Sequence, residues 1–125
     1  MHRSRPAVIS IDVPAEQRNE ATDFWSNAFG RPSRAGTVHP EYSTLGDVAG
    51  WGVLIQSTGN AAARVHFDIH TDDLAAEVAR LVQLGAEIEN SDAEWTVLRD
   101  PLGVLFCVCP CESSDPSLEG ATQWD

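Results

Sequence analysis

No apolar run in this sequence approaches the roughly 18 residues that a membrane-spanning helix needs, so no membrane partner is expected. "MHRSRP" at the start has charge but no hydrophobic stretch of signal-peptide type behind it, which points to the cytoplasm. Basic residues are scarce: 8 Lys and Arg stand against 19 Asp and Glu, for a formal net charge of −11. Such a surface repels phosphate backbones and argues against nucleic acid as a partner. Cysteine is confined to Cys107, Cys109 and Cys111 in "CVCPC". An odd count in one tight cluster is not a secreted disulfide framework, and alternate residues on one strand face lie too far apart for an easy Cys107–Cys109 bridge. The sequence has no nucleophile elbow, no motif pairing Cys107 with a base and no Gly-rich phosphate loop. No residue is therefore assigned a catalytic role.

What is present is a globular composition, 42% apolar, over 125 residues. That length suits one compact domain, expected over residues 1–111, with an acidic, flexible tail over 112–125. The order of elements is written twice. "AVISIDVP" alternates, with Ile9, Ile11 and Val13 on one face and Val8, Ser10 and Asp12 on the other. A helix follows over about Ala15 to Phe29, with Ala21, Phe24, Trp25, Ala28 and Phe29 as its stripe and Gly30 as its stop. Three strands come next, near Arg34–Val38, Tyr42–Leu45 and Trp51–Ser57. After the small-residue linker Thr58–Ala63, "RVHFDIHT" is again a strand and Asp72 or Asp73 an N-cap. "LAAEVARLVQLG" is a helix ending at Gly85, and "AEIEN", "EWTVLR" and "GVLFCVC" are three more strands, the last two joined by the turn "DPLG". Each half reads β-α-β-β-β, module 1 over about 7–57 and module 2 over about 64–109. Val8 aligns with His66, Ser10 with Asp68 and Asp12 with His70; "GVLIQ" aligns with "GVLFC".

A helix covers one sheet face of each half, and nothing in the sequence covers the other. Side chains alternate along a strand, so His66, Asp68 and His70 share that second face. Two curved half-sheets would turn it into a groove. The expected fold is α+β: two β-α-β-β-β modules forming a curved mixed sheet around a groove.

The run "HFDIHTDDLAAEVARLVQLGAEI" followed by "VLRDPLGVLFCV" resembles the vicinal oxygen chelate superfamily, the glyoxalase/bleomycin-resistance fold. The resemblance spans about residues 7–109. It implies a small-molecule ligand, a homodimer, and in metal-using members a ligand set at four strand positions, which fall here on Val8, Gln56, His66 and Cys107. His66, Gln56 and Cys107 are the metal-ligand candidates for a divalent ion such as zinc, nickel, manganese or iron. Val8 cannot ligate and Cys107 stands where a glutamate is usual, so the oxygen-rich set is broken. That argues against isomerisation or ring-cleaving dioxygenation, which need a hard ion with open positions.

The groove candidates are Asp12, Gln56, His66, Asp68, Cys107 and Cys109. Plain alternatives stand beside them. Asp68 and His70 read more commonly as solvated surface, and Cys107 and Cys109 as small buried hydrophobes. Trp51 and Trp95 read as a groove floor or as sheet packing; Arg99 reads best as a surface ion-pair partner. The leading expectation is a glyoxalase-like protein that binds a small organic molecule. The alternatives are a metal-dependent lyase, isomerase or dioxygenase, and a drug-sequestering protein of the bleomycin-binding type.

Overall fold

A computed structural model of the chain describes residues 1–36, 40–58, 62–91 and 94–125. Its chain contacts divide it into two compact units, Val8–His66 and Phe67–Asp125 with Met1–Ala7.

In the first unit, strand β1 (His2–Val13, contributing from Val8 on) leads into a 3₁₀ turn (Ala15–Gln17) and helix α1 (Arg18–Phe29). Gly30 adopts the left-handed conformation (φ 66°) and ends α1, as expected of a residue without a Cβ. Strands β2 (Arg34–Ala35), β3 (Tyr42–Val48) and β4 (Trp51–Ser57) follow. The strand expected to run to Val38 ends at Ala35, and residues 37 and 38 lie outside the described residues. Strand β4 pairs parallel with β1, and β3 pairs antiparallel with β4 and β2. The β3–β4 link is a two-residue turn at Ala49 and Gly50, both with positive φ (56° and 88°), as the hairpin twist demands. The core is Ile11, Val13, Leu45, Val53 and Ile55, covered by Ala21 and Trp25 of α1.

The expected α1 stripe is only partly buried. Phe24 is 61% exposed and Phe29 is also exposed, both resting on the Trp25 ring with centroids 5.0 and 5.2 Å away. Among the residues of α1, Thr22 rather than an aromatic is the one fully buried.

The second unit repeats the order. Strand β5 (Arg64–Thr71), helix α2 (Leu74–Gln83), and strands β6 (Glu87–Asn90), β7 (Thr96–Arg99) and β8 (Leu105–Pro110) follow. Strand β8 pairs parallel with β5, and β7 antiparallel with β8 and β6, the same topology as in the first unit. Asp73 is the N-cap of α2, its carboxylate accepting from Ala76 N–H at 3.0 Å, while Asp72 turns to Arg3. Gly85 sits at φ 112°, where a Cβ would meet Pro101 at 3.2 Å. The "DPLG" turn closes through Gly103 N–H to Asp100 O at 3.0 Å. Leu74, Val78 and Leu81 of α2 cover Ala86, Leu98, Phe106 and Val108.

The tail is folded, which corrects the expectation of a flexible segment. Residues Pro116–Leu118 form a second 3₁₀ turn, with Leu118 buried, and Thr122–Trp124 form β9, antiparallel to His2–Ser4 of β1. Trp124 donates from Nε1 to Ser4 Oγ at 2.9 Å and carries the Arg80 guanidinium 3.7 Å from its ring centre. Beneath it lies Glu77, with no exposed surface. Burial pushes the Glu77 carboxyl up, but hydrogen bonds from Arg80, Ser4 and His2 outweigh it and hold the group below its ordinary value.

Candidate functional site

Alternation decides which side chains leave the core. Ile11 and Val13 face α1, so Ser10 and Asp12 take the opposite face of β1. Phe67 stacks on Phe106 at 5.9 Å and Ile69 packs under α2, so Asp68 and His70 lie on the opposite face of β5. The expected register therefore holds. Phe67, however, is 38% exposed rather than buried, because it sits at the margin of its core.

In the first unit the polar face carries a closed cluster. His66 Nδ1 lies 2.6 Å from Asp12 Oδ2, and the Arg64 guanidinium Nε lies 3.5 Å from the same oxygen. The Ser10 hydroxyl donates to Asp12 Oδ1 at 2.9 Å and reaches Gln56 Oε1 at 3.3 Å. Gln56 is the ladder partner of Asp12 on β4. Ser10 and Asp12 are each 1% exposed and His66 9%; only Gln56 and Arg64 reach solvent to a larger extent. A carboxylate out of water must be paired and hydrogen-bonded, and Asp12 has three partners for that purpose. The short contact between Nδ1 and Asp12 holds the imidazole in one orientation.

In the second unit, Asp68 faces Cys107 across the β5–β8 ladder and His70 faces Cys109. Cys107 is buried; Asp68, His70 and Cys109 are half-buried. All three cysteines are free thiols. Burial raises the Cys109 thiol far above its usual range, so it is protonated at neutral pH. Burial lowers His70 more than the carboxylates of Asp68 and Asp115 raise it, so its imidazole is neutral. His70 Nδ1 is 2.8 Å from Ser117 Oγ. Arg99 is an exposed ion-pair partner of Glu89, at 2.9 Å.

The ladders also correct the alignment of the two halves. Ser10 pairs with Leu54 and Asp12 with Gln56, whereas Asp68 pairs with Cys107 and His70 with Cys109. By position in the ladder, Gln56 therefore corresponds to Cys109, and Cys107 to Leu54. The slip is two residues, which keeps each side chain on its face and so leaves no trace in the hydrophobic pattern. Val8 stands opposite Gly52, and neither offers a donor atom. A hard divalent ion that needs four oxygen or nitrogen ligands does not fit this set.

The residues missed in sequence are Ser10 and Arg64. The alternation put Ser10 on the right face, two residues from Asp12, but its contact with Gln56 depends on strand pairing. A cleft of about 530 Å³ opens on the other, helix-covered face of the first unit, lined by Ile11, Phe24, Trp25, Arg64 and Val65 among others. Arg64 belongs to both that cleft and the Asp12 cluster. No described helix is long and apolar enough to cross a membrane.

The glyoxalase-like domain model matches residues 8–109. Among solved structures, a hypothetical protein from Bacillus halodurans C-125 superposes with a TM-score of 0.66 at 10% identity, covering 90% of this chain and 97% of that one. A methylmalonyl-CoA epimerase in complex with methylmalonyl-CoA and NH4+ gives 0.59 at 13%, covering 90% and 96%. The 2,2',3-trihydroxybiphenyl 1,2-dioxygenase of Sphingomonas wittichii RW1 gives 0.60 at 16%, covering 94% of this chain and 44% of the enzyme. At these identities the likeness is one of fold. No curated protein matches by sequence.

Proposed function

The chain belongs to the glyoxalase-like domain family, and from that premise we propose that it binds a small organic molecule at the polar strand faces, with His66 as the group that meets the ligand. The ligand-facing set is Asp12, Gln56, His66, Asp68, Cys107 and Cys109. One observation carries the reading: Ser10, Asp12 and His66 are buried together in hydrogen-bonded contact. Apolar side chains of the same volume would support a fold at least as well, so a buried charge-bearing cluster calls for a reason other than stability. Asp12 orients His66, and Gln56 offers an amide to a ligand oxygen. The His66 imidazole is the titratable group of the set that a ligand would meet. The protein acts as a homodimer, by analogy with the family.

Metal-dependent lyase, isomerase or dioxygenase chemistry through His66, Gln56 and Cys107 is the second reading. It is disfavoured by Val8, which offers no ligand atom. Elemental analysis of untagged protein discriminates: near one equivalent of nickel, manganese, iron or zinc per chain, lost in His66→Ala, would establish the metal reading.

For the first reading, backbone amide spectra are recorded while methylmalonyl-CoA and 2,2',3-trihydroxybiphenyl are added in turn, as probes drawn from the two structural neighbours. The expected result is saturable shifts at Ser10, Asp12, Gln56 and His66 with at least one probe, abolished by His66→Ala. Shifts confined to Phe24 and Trp25 would move binding to the helix-side cleft and overturn the assignment.

A further inference from the structure

The cleft against α1 has a volume of about 530 Å³, within the range of small-molecule sites. We propose that it is a second binding site, for a small compound with an aromatic or other apolar body and an ammonium group. The proposal does not depend on the polar-face reading above. Ile11 and Val13 line the cleft, whereas Ser10 and Asp12 lie on the opposite face of the same strand.

One face of the helix supplies one side of the cleft. Gln17 at the N-cap of α1, then Glu20, Ala21, Phe24 and Trp25, recur at spacings of three and four residues and so lie along one stripe. Val65, at the start of β5, adds a further apolar side chain to the lining. Ala21 and Trp25 already cover the core beneath. Phe24 is 61% exposed and Val65 64%. Together they leave apolar surface in water, which the body of an apolar ligand would cover.

The charges of the lining select the ligand. Arg64 borders the cleft, but its guanidinium is engaged by Asp12, with Nε 3.5 Å from Oδ2. The Glu20 carboxylate has no hydrogen-bond or ion-pair partner among the described residues. The charge left to a ligand is therefore negative. Glu20 precedes Phe24 by four residues, so carboxylate and ring are neighbours on the helix surface. Aromatic rings attract a cation. A formal net charge of −11 concentrates cations near the surface and depletes anions. Carboxylate, rings and overall field all favour an ammonium group over a carboxylate or phosphate.

The test is amide NMR on the full chain with three probes that share one ring: benzyltrimethylammonium, benzyl alcohol and phenylacetate. Benzyltrimethylammonium should give saturable shifts centred on Glu20, Phe24, Trp25 and Val65. Its affinity should fall by about 3-fold in Glu20→Gln, the size of one exposed charge contact, and should fall also in Phe24→Ala. Benzyl alcohol should bind more weakly, and equally to wild type and Glu20→Gln. Phenylacetate should bind most weakly of the three. Both substituted side chains are exposed, so thermal unfolding of the variants should stay within a few degrees of wild type. No saturable shift with benzyltrimethylammonium, shifts centred on Ser10, Asp12 and Gln56, equal binding of the three probes, or an affinity unchanged in Glu20→Gln would each overturn the proposal. So would a dimer mass in light scattering that is lost in Phe24→Ala, since the occupant of the cleft would then be a second copy of the chain.

Discussion

The two units share one topology and differ in what they place on the same polar face. In the first, Ser10, Asp12 and His66 are buried and in hydrogen-bonded contact with one another. In the second, Asp68, His70 and Cys109 stay half-buried, and the partner of His70 comes from the tail. The helices differ too. Helix α2 is capped by Asp73 and presents Leu74, Val78 and Leu81 to its core. Helix α1 has no side-chain cap and leaves Phe24 in solvent. A duplicated fold thus conserves strand order and apolar faces, which packing enforces, and leaves the polar positions to diverge.

The largest effects should come from the cores that the units have in common. Ile55→Ala and Leu98→Ala remove side chains with no exposed surface and should each cost about 2–5 kcal/mol in urea unfolding. Phe67→Ala, at a margin, should cost about 1–2 kcal/mol. Equal losses for Phe67→Ala and Leu98→Ala would mean that the edge of the second core has been misplaced.

Next come the buried carboxylates, one in each unit. Asp12→Ala strands the donors of Ser10 and His66 and should cost about 1–3 kcal/mol. For Glu77 the signature is pH dependence. Its folded pKa lies below the unfolded value, so its contribution is complete above the unfolded pKa and is lost as pH falls through the folded one. The stability gap between wild type and Glu77→Gln should be widest near pH 7 and should close in the acid carboxylate range. A gap that is constant between pH 7 and pH 3 would show that Glu77 acts through packing alone.

The smallest effect separates the helices. Asp73→Ala should cost about 1 kcal/mol as a lost N-cap, whereas Gln17→Ala, which removes no cap, should be near zero. Similar losses at both sites would erase this distinction between α1 and α2.

Much of this was legible in the sequence because packing writes a period. The alternation in "VISIDV", "VHFDIH" and "VLFCVC" placed Ile11, Ile69, Phe106 and Val108 correctly, and with them the faces of Ser10, Asp12 and Asp68. Gly30 and Asp73 marked helix ends because a left-handed φ and an unpaired N–H each demand particular residues. The Asp12–His66 contact was not legible, since a hydrogen bond between residues 54 apart in the chain depends on pairing rather than pattern. The two-residue ladder slip was invisible for the same reason. The tail looked mobile because its composition is acidic and turn-rich; its fold rests on strand pairing with β1 and on scattered contacts such as those of Leu118 and Trp124, which make no period.

The claim that matters most is that the Ser10–Asp12–His66 cluster is held for function and not for support. The triple variant Ser10→Ala, Asp12→Leu, His66→Phe removes every member at once and fills the space with apolar atoms. Urea unfolding should find it as stable as wild type or more so, in contrast to the loss in Asp12→Ala alone. A loss of more than about 3 kcal/mol in the triple variant would contradict the account and make the cluster a structural element.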